Sequence, residues 1–192
     1  MVLSQPGPLR VVIAPGNGCD DAIDRCIWYG WLKRQLGKRG ISCTTSAFPD
    51  PMEAREESWG PFLKGPLGCD QSTVVIGHSS GAAASMRLLE TTKLAGAVLV
   101  SAYHTDLGDP LERASGYFSR PWDWAAIRRN ATHFLLQLHG LDDPLVPVEH
   151  GRALSRTLKS EYHEAPSAGH YQRTVQPEML RLILEKLGTA AR

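Results

Sequence analysis

A serine between two glycines is the residue of this sequence best suited to covalent chemistry. Ser79 stands in Gly77-His78-Ser79-Ser80-Gly81, which follows the apolar run Thr73–Ile76 and precedes the small residues Ala82–Ala84. A G-x-S-x-G turn between a strand and a helix exposes the serine oxygen above the sheet, and its glycines let the two backbones approach closely. The pattern predicts Ser79 as a nucleophile; the alternative is a serine that only makes the turn.

A nucleophile of this type needs N–H donors for the negative oxygen that forms during acyl transfer. The Ser80 N–H, at the start of the predicted helix, is one candidate because a helix N-terminus favours negative charge. The second donor should come from a loop after another central strand, and Pro15-Gly16-Asn17-Gly18 follows the apolar run Val11–Ala14. We predict Asn17, although a plain strand-to-helix turn also uses Gly and Asn, and the sequence does not select one N–H.

The serine also needs an acid and a histidine, in the chain order serine, acid, histidine. His170 fits this order because it stands just after the last predicted strand. The acid is predicted after the strand that ends at His139-Gly140, where Asp142 and Asp143 are adjacent. Its role is to accept the ring N–H of the histidine, fix the tautomer and stabilise the imidazolium. Asp143 is preferred because it directly precedes a Pro-x-Val-Pro turn, and Asp142 stays open, with a turn or helix cap as its other role.

The elements that must position these residues alternate along the chain. Several strand-like runs are continuously apolar, which is typical of strands buried on both faces of a parallel sheet. The alternation predicts an α/β fold, a doubly wound, mostly parallel sheet of about six strands with helices on both faces. Strands are predicted at Leu9–Ala14, Ser42–Ala47, Thr73–Gly77, Ala97–Ala102, His133–His139 and Tyr162–Ala165. Helices are predicted at Trp28–Arg39, Glu53–Leu63, Ser80–Thr92, Trp122–Asn130, Val148–Leu158 and Pro177–Leu187.

Two features leave alternatives open. The stretch His104–Pro121, with two glycines and two prolines, is either a functional loop or a structured surface excursion. The aromatic clusters Trp28–Trp31 and Tyr117–Trp124 either belong to the core or shape a substrate pocket. Helical spacing of aromatic residues favours the core, so none of them is predicted as a site residue.

Length and composition exclude several classes of protein. The 192 residues suit a single domain, predicted over residues 1–192, with residues 1–8 as a flexible lead-in. Lys and Arg number 21 against 20 Asp and Glu, so no basic excess indicates nucleic-acid binding, and no apolar run approaches the roughly 20 residues of a membrane span. The four cysteines lack metal-ligand spacing and are interpreted as reduced thiols, which favours the cytoplasm and leaves the nucleus open. We expect a monomer with no metal and no organic cofactor.

The segments that carry chemistry also occur together in a known family. They are Val12–Gly18, Trp28–Trp31, Gly77–Gly81, Leu99–Tyr103 with Asp106–Asp109, Glu112–Phe118 with Arg120–Trp122, and Asp142–Pro144. Over nearly its whole length the sequence resembles the retinoblastoma-binding protein nine type serine hydrolases of the α/β-hydrolase superfamily. The resemblance implies a compact fold without a large lid. It also implies a triad of Ser79, Asp143 and His170, which favours Asp143 over Asp142.

One segment departs from the family pattern. The family is named for an L-x-C-x-E segment that is proposed to bind a retinoblastoma-type pocket protein, and the matching stretch here is Leu67–Gln71. Gln71 replaces the acid, so the resemblance gives this partner little support. The stretch also directly precedes a predicted buried strand, which restricts its side chains.

The functional hypothesis is hydrolysis of an ester or amide bond through an acyl-enzyme on Ser79. The expected substrate is a small-molecule or peptide-like acyl compound, and the choice between ester, thioester and amide stays open. The alternative is a protein-interaction module on a hydrolase fold that binds a retinoblastoma-type pocket protein.

Overall fold

The computed structural model describes residues 8–20 and 22–190, and within these ranges its strands form one six-stranded parallel sheet. The predicted lead-in, residues 1–8, lies outside the described residues except for Pro8. The strands are β1 (Arg10–Ala14), β2 (Ser42–Thr44), β3 (Thr73–His78), β4 (Leu94–Val100), β5 (Ala131–Gly140) and β6 (Glu161–Ala165).

Helices connect the strands, and each of the six predicted strands and six predicted helices is present. A short 3-10 helix, Ile23–Arg25, precedes the first α-helix. The α-helices of the described residues are α1 (Tyr29–Gly37), α2 (Glu56–Lys64), α3 (Ser80–Thr91), α4 (Pro110–Ala114), α5 (Trp124–Asn130), α6 (Val148–Leu158) and α7 (Pro177–Ala190).

The predicted end of β2 and both predicted ends of β4 were wrong. β2 ends at Thr44 and not at Ala47, and the next side chain, Thr45, turns away to bond with Lys33. β4 starts at Leu94, earlier than predicted, and ends at Val100 because Ser101 has a φ of 50°, which no strand accommodates.

The helix α4 was not predicted. It is only five residues long and lies inside the stretch His104–Pro121, where glycines and prolines hide its pattern. Asp109 begins it as a side-chain cap, accepting a hydrogen bond from the Leu111 N–H at 2.7 Å. The stretch is therefore an ordered excursion, and α4 is the element it adds next to the sheet.

The order of the strands reverses beside the predicted nucleophile. The sheet runs β2-β1-β3-β4-β5-β6, so the chain leaves β1 toward one edge and then returns to add β3 on its other side. In open parallel sheets such a reversal leaves a crevice at the carboxyl ends of the two strands, where ligands bind. The loop after β1 and the turn after β3 meet at this reversal.

Alternate side chains of the strands face opposite layers of helices. Val11 and Ile13 pack against α1 and α7, whereas Val12 and Ala14 pack against the layer that holds α2, α3, α5 and α6. A strand directs successive side chains to opposite faces, so each face of the sheet is covered by its own helices. The predicted doubly wound sheet with helices on both faces is confirmed.

Candidate active site

The turn at Ser79 holds this residue in a conformation that side chains rarely adopt. Its backbone has φ 55° and ψ −121°, between the end of β3 and the start of α3, and its N–H donates to the Val100 carbonyl at 3.0 Å. A Cβ on Gly77 would lie 2.5 Å from Oγ of Ser85, and one on Gly81 would overlap the backbone of β1. Both glycines are therefore required by close packing, as the G-x-S-x-G pattern predicts.

The loop after β1 packs directly against this turn. Gly16 is buried, and a Cβ placed on it would lie 3.4 Å from Cβ of Ser79. The Gly16 N–H already donates to the hydroxyl of Tyr29 at 2.8 Å, whereas Asn17 is exposed. Ser80 opens α3, so its N–H is one of those that a helix start leaves without an intrahelical acceptor. Asn17 and Ser80 thus stand as the two candidate donors beside Ser79.

Asp143 and His170 are brought together across the carboxyl edge of the sheet. The two carboxylate oxygens of Asp143 lie 3.0 and 2.9 Å from Nδ1 of His170. One of these oxygens also accepts the N–H groups of Leu145 and Val146, both at 2.9 Å. The Asp143 side chain is 0% exposed and that of His170 is 5% exposed, so this contact is shielded from water.

The surroundings of Asp143 keep it ionised. Burial by itself raises the pKa of this carboxyl group, but the hydrogen bonds from His170, Val146 and Leu145 outweigh it, and the net pKa lies below its usual value. The His139 Nε2 is 3.7 Å from the same carboxylate and 2.9 Å from the Val146 carbonyl. Burial lowers the pKa of His139, so this ring is neutral and its N–H holds the turn that presents Asp143.

Asp142 takes a different position from its neighbour. Its Oδ1 accepts the backbone N–H of Gly169 at 2.7 Å, and the residue is exposed. Of the two carboxylates that the sequence left open, Asp143 meets the ring of His170 and Asp142 meets the backbone just before it. The loop that carries both acids thereby binds the loop that carries His170 at two points.

The histidine loop also touches the turn that carries Ser79. His78 donates from Nε2 to the backbone carbonyl of His170 at 2.9 Å, and the two rings lie 4.9 Å apart between centroids. The carbonyl can only accept, so the proton on His78 is assigned to Nε2. The loops that carry Ser79 and His170 are thus in direct contact.

Tyr103 and Glu112 form a polar pair beside this turn that the sequence analysis missed. The Tyr103 hydroxyl donates to the Glu112 carboxylate at 2.7 Å and lies 3.4 Å from Oγ of Ser80. Burial raises the pKa of Tyr103 well above its usual value, and burial likewise raises the pKa of Glu112. The sequence signals were the length of the excursion between β4 and α5 and the family-like segments Leu99–Tyr103 and Glu112–Phe118, and α4 is the element that brings Glu112 here.

Arg87 holds that excursion in place from within α3. Its side chain is 3% exposed, and its guanidinium lies 3.7 Å above the ring of Trp122 and donates to the Glu90 carboxylate at 2.6 Å. The remaining donors bind three backbone carbonyls of the excursion and its end: Tyr117, Arg120 and Pro121. Because every N–H group of this buried guanidinium has an acceptor, Arg87 holds the segment in one position.

The aromatic clusters and the Leu67–Gln71 segment are only partly buried. Trp28 and Tyr29 are fully buried, although the hydroxyl of Tyr29 reaches the loop after β1. In the second cluster, Tyr117 is fully buried. Cys69 is also buried, and burial raises its pKa to about 12. A pocket protein could contact this thiol only if Cys69 left the core.

Within the described ranges, 8–20 and 22–190, the structure holds neither a metal-binding cluster nor a helix that could span a membrane. No group of three or more His, Cys, Asp or Glu side chains there is arranged to hold a metal ion. No helix of these ranges is both long and apolar enough to cross a membrane. All four cysteines are free thiols.

Comparison with known sequences identifies a family. A family model described as "Serine hydrolase" matches residues 11–182. The protein "Serine hydrolase RBBP9" of Rattus norvegicus is 42% identical over 184 residues, which cover 95% of this chain and 98% of the rat protein. "Putative hydrolase YdeN" of Bacillus subtilis is 26% identical over 149 residues, covering 75% of this chain and 77% of that protein.

Comparison with solved structures identifies the fold. The YdeN gene product of B. subtilis superimposes with a TM-score of 0.84 at 23% identity, covering 94% of this chain and 99% of that one. A thermophilic esterase from Thermogutta terrifontis gives a TM-score of 0.72 at 17% identity, covering 98% and 92%. The six-stranded parallel sheet with flanking helices is thus the α/β-hydrolase fold, as expected.

Proposed function

The chain belongs to the serine hydrolase family, and from that premise we propose that it cleaves an ester or amide bond through an acyl-enzyme on Ser79. The observation that carries the proposal is the contact of both Asp143 oxygens with Nδ1 of His170. With Nδ1 occupied in this way, Nε2 is the ring nitrogen left to act on the serine, which stands on the strained turn after β3.

In the first half of the proposed reaction, the Ser79 Oγ attacks the acyl carbonyl carbon of the substrate. Its proton passes to Nε2 of His170, and Asp143 stabilises the imidazolium that forms. The N–H groups of Ser80 and Asn17 hold the negative oxygen of the tetrahedral intermediate. As this intermediate collapses, the bond to the alcohol or amine breaks and His170 gives that leaving group its proton.

In the second half, water replaces the leaving group. His170 takes a proton from the water as its oxygen attacks the acyl carbon on Ser79. The second tetrahedral intermediate collapses, the carboxylic acid leaves, and the proton returns to the serine oxygen. Each step uses only the chain's own residues and water.

An acyl compound of small-molecule or peptide-like size is the substrate class we propose. The fold shared with the Thermogutta terrifontis esterase supports ester cleavage as the first reaction to test. The rival function, binding of a retinoblastoma-type pocket protein through Leu67–Gln71, is disfavoured by the burial of Cys69 and by Gln71 at the acidic position.

A fluorophosphonate probe tests the proposal because it reacts with activated serines. We expect labelling of the folded wild-type chain at Ser79 and none of Ser79→Ala. Failure to label Ser79, or labelling that survives Ser79→Ala, would overturn the assignment. A panel of p-nitrophenyl esters, acyl thioesters and aminoacyl amides then separates the three acyl classes. Pocket-protein binding that Ser79→Ala leaves unchanged, with no turnover of any of these substrates, would favour the rival.

A further inference from the structure

A continuous chain of hydrogen bonds joins the three loops that meet at Ser79. The Gly16 N–H donates to the hydroxyl of Tyr29 at 2.8 Å, and that hydroxyl lies 2.7 Å from Nδ1 of His78. The Nε2 of His78 then reaches the backbone carbonyl of His170 at 2.9 Å. The last two of these hydrogen bonds join residues that are 49 and 92 positions apart, so they connect distant parts of the sequence.

The direction of every bond in this chain is determined. A carbonyl can only accept, so His78 carries its proton on Nε2 and its Nδ1 must accept. Tyr29 therefore donates its hydroxyl proton to His78, while its oxygen accepts the N–H of Gly16. The Tyr29 hydroxyl and the His78 ring each donate one hydrogen bond and accept one, between the Gly16 N–H, which donates, and the His170 carbonyl, which accepts.

We infer that Tyr29 and His78 are positioning residues that fix the His170 loop and the Asn17 loop against the turn at Ser79. The inference rests on the proposed function, because the positions it concerns are those of the proposed histidine and second N–H donor. Neither residue is assigned contact with substrate. The two side chains act through the backbones of Gly16 and His170.

This bridge of hydrogen bonds, which runs from Gly16 through Tyr29 and His78 to His170, is buried in the packed interior. His78 is 3% exposed and Tyr29 is fully buried. The ring of Trp28 meets Tyr29 edge-on at 4.6 Å and His78 at 5.8 Å between centroids. A Cβ on Gly16 would lie 3.3 Å from Nδ1 of His78, so a side chain here would require the loop or the bridge to shift by a few tenths of an ångström.

The bridge also stays in one protonation state. Burial and the nearby ring of His170 outweigh the smaller opposite effects of the His170 carbonyl and Asp143, and together they lower the pKa of His78 to about 3. His78 is therefore neutral at about pH 5 and above. A neutral imidazole can join a donor to an acceptor without placing a second positive charge beside the histidine that takes the serine proton.

The first test measures the protonation of His78 and needs no enzymatic reaction. In the 15N-labelled full chain, NMR of the imidazole nitrogens should report His78 as the Nε2–H tautomer, unchanged between about pH 5 and pH 8. An Nδ1–H tautomer, or titration of His78 near its usual pKa of about 6.5, would overturn the inference. This result stands whether or not the wild-type chain hydrolyses anything.

The second test removes single atoms. Tyr29→Phe should lower kcat by about 10- to 100-fold and leave KM within about two-fold, because the loss leaves a buried N–H and a buried ring nitrogen unpaired. Tyr117→Phe is the matched control: Tyr117 is equally buried, but its hydroxyl has no hydrogen-bond partner among the described residues, so kcat should stay within about two-fold. Equal kcat for Tyr29→Phe and wild type, with only a lower melting temperature, would make Tyr29 merely structural and would overturn the inference.

The third test examines the hydrogen bond from Nε2 of His78 to the His170 carbonyl. In His78→Gln the side-chain amide is long enough to donate toward the His170 carbonyl, whereas in His78→Asn it is too short. We expect kcat to fall less in the Gln variant than in the Asn variant, and wild-type kcat in both would contradict the positioning role. A wild-type chain that neither labels with fluorophosphonate nor turns over any substrate would refute the proposed function, while the NMR tautomer still decides the bridge.

Discussion

Both carboxylate oxygens of Asp143 lie within 3.0 Å of Nδ1 of His170, and both side chains are buried. Asp142, its neighbour in the chain, holds the backbone N–H of Gly169 instead. Two adjacent acids thus serve one loop in different ways, one at the ring and one at the backbone. Substitutions of the two acids should therefore lower kcat by different amounts.

We expect Asp143→Asn to lower kcat by roughly 10⁴-fold, because an amide holds the wrong tautomer of His170 and cannot stabilise the imidazolium. Asp142→Asn should lower kcat by no more than about ten-fold, since one backbone hydrogen bond is at stake. Steady-state kinetics on an activated ester give both values. Equal losses in the two variants would contradict the assignment of the acid to Asp143.

The lowered pKa of Asp143 predicts how its contribution to stability depends on pH. A carboxyl group whose pKa is lower in the folded than in the unfolded state stabilises the fold above its unfolded pKa of about 3.9, and this stabilisation is lost as the pH falls toward the folded value. The difference in unfolding free energy between wild type and Asp143→Asn should therefore be constant above about pH 5 and shrink below about pH 4. Urea titrations at a series of pH values measure it. A difference that does not change down to about pH 3 would argue against this linkage.

The backbone of Ser79 predicts an unusual order of stability among inactive variants. Its φ of 55° costs any residue with a side chain on the order of 1–3 kcal/mol, whereas glycine adopts it freely. After the extra chain entropy of glycine is subtracted, Ser79→Gly should exceed Ser79→Ala in unfolding free energy by about 1 kcal/mol. Denaturant melts of the two variants decide this, and both should lack fluorophosphonate labelling. A more stable Ser79→Ala would mean that the turn is not strained.

Gly16→Ala tests the close approach of the loop after β1. The added methyl group would meet Nδ1 of His78 at 3.3 Å and Cβ of Ser79 at 3.4 Å, which forces the loop or the bridge to move. We expect kcat to fall about ten-fold and stability to fall by about 1–2 kcal/mol. Gly60→Ala in α2 is the control, since nothing lies within 4 Å of its Cβ position. It should add about 0.5–1 kcal/mol of stability and leave kcat unchanged, and a similar loss of activity in both variants would refute the argument.

Arg87→Lys should destabilise the fold by about 2–4 kcal/mol, because a single ammonium group cannot satisfy Glu90 and three backbone carbonyls together. Arg181→Lys is the control, as Arg181 pairs with Glu178 and Glu185 on the exposed face of α7. It should leave the unfolding midpoint unchanged. Chemical denaturation followed by tryptophan fluorescence compares them, and equal midpoints would show that Arg87 does not hold the excursion.

Local patterns predicted much of this protein. Continuous apolar runs, and the alternation of strand-like with helix-like segments, indicated the parallel sheet. A strand buried on both faces is apolar at consecutive positions, so its burial can be recognised from neighbouring residues. The Gly77–Gly81 turn predicted Ser79 for the same reason, since the strained turn and its close packing depend on adjacent positions. The boundaries of β2 and β4 were less predictable, because Lys33 and the φ of Ser101 end those strands by contacts and geometry outside the strand pattern.

What only the tertiary structure decided is which distant groups meet. The sequence by itself determined the nature of the fold, the place of the candidate nucleophile and the order in which its partners follow. It preferred Asp143 without showing which acid meets the His170 ring, and it indicated neither the bond of the Gly16 N–H to Tyr29 nor the Tyr103–Glu112 pair. Those outcomes depend on hydrogen bonds between atoms that are far apart in the chain, and such bonds follow from the packing of whole elements rather than from the identity of neighbouring residues.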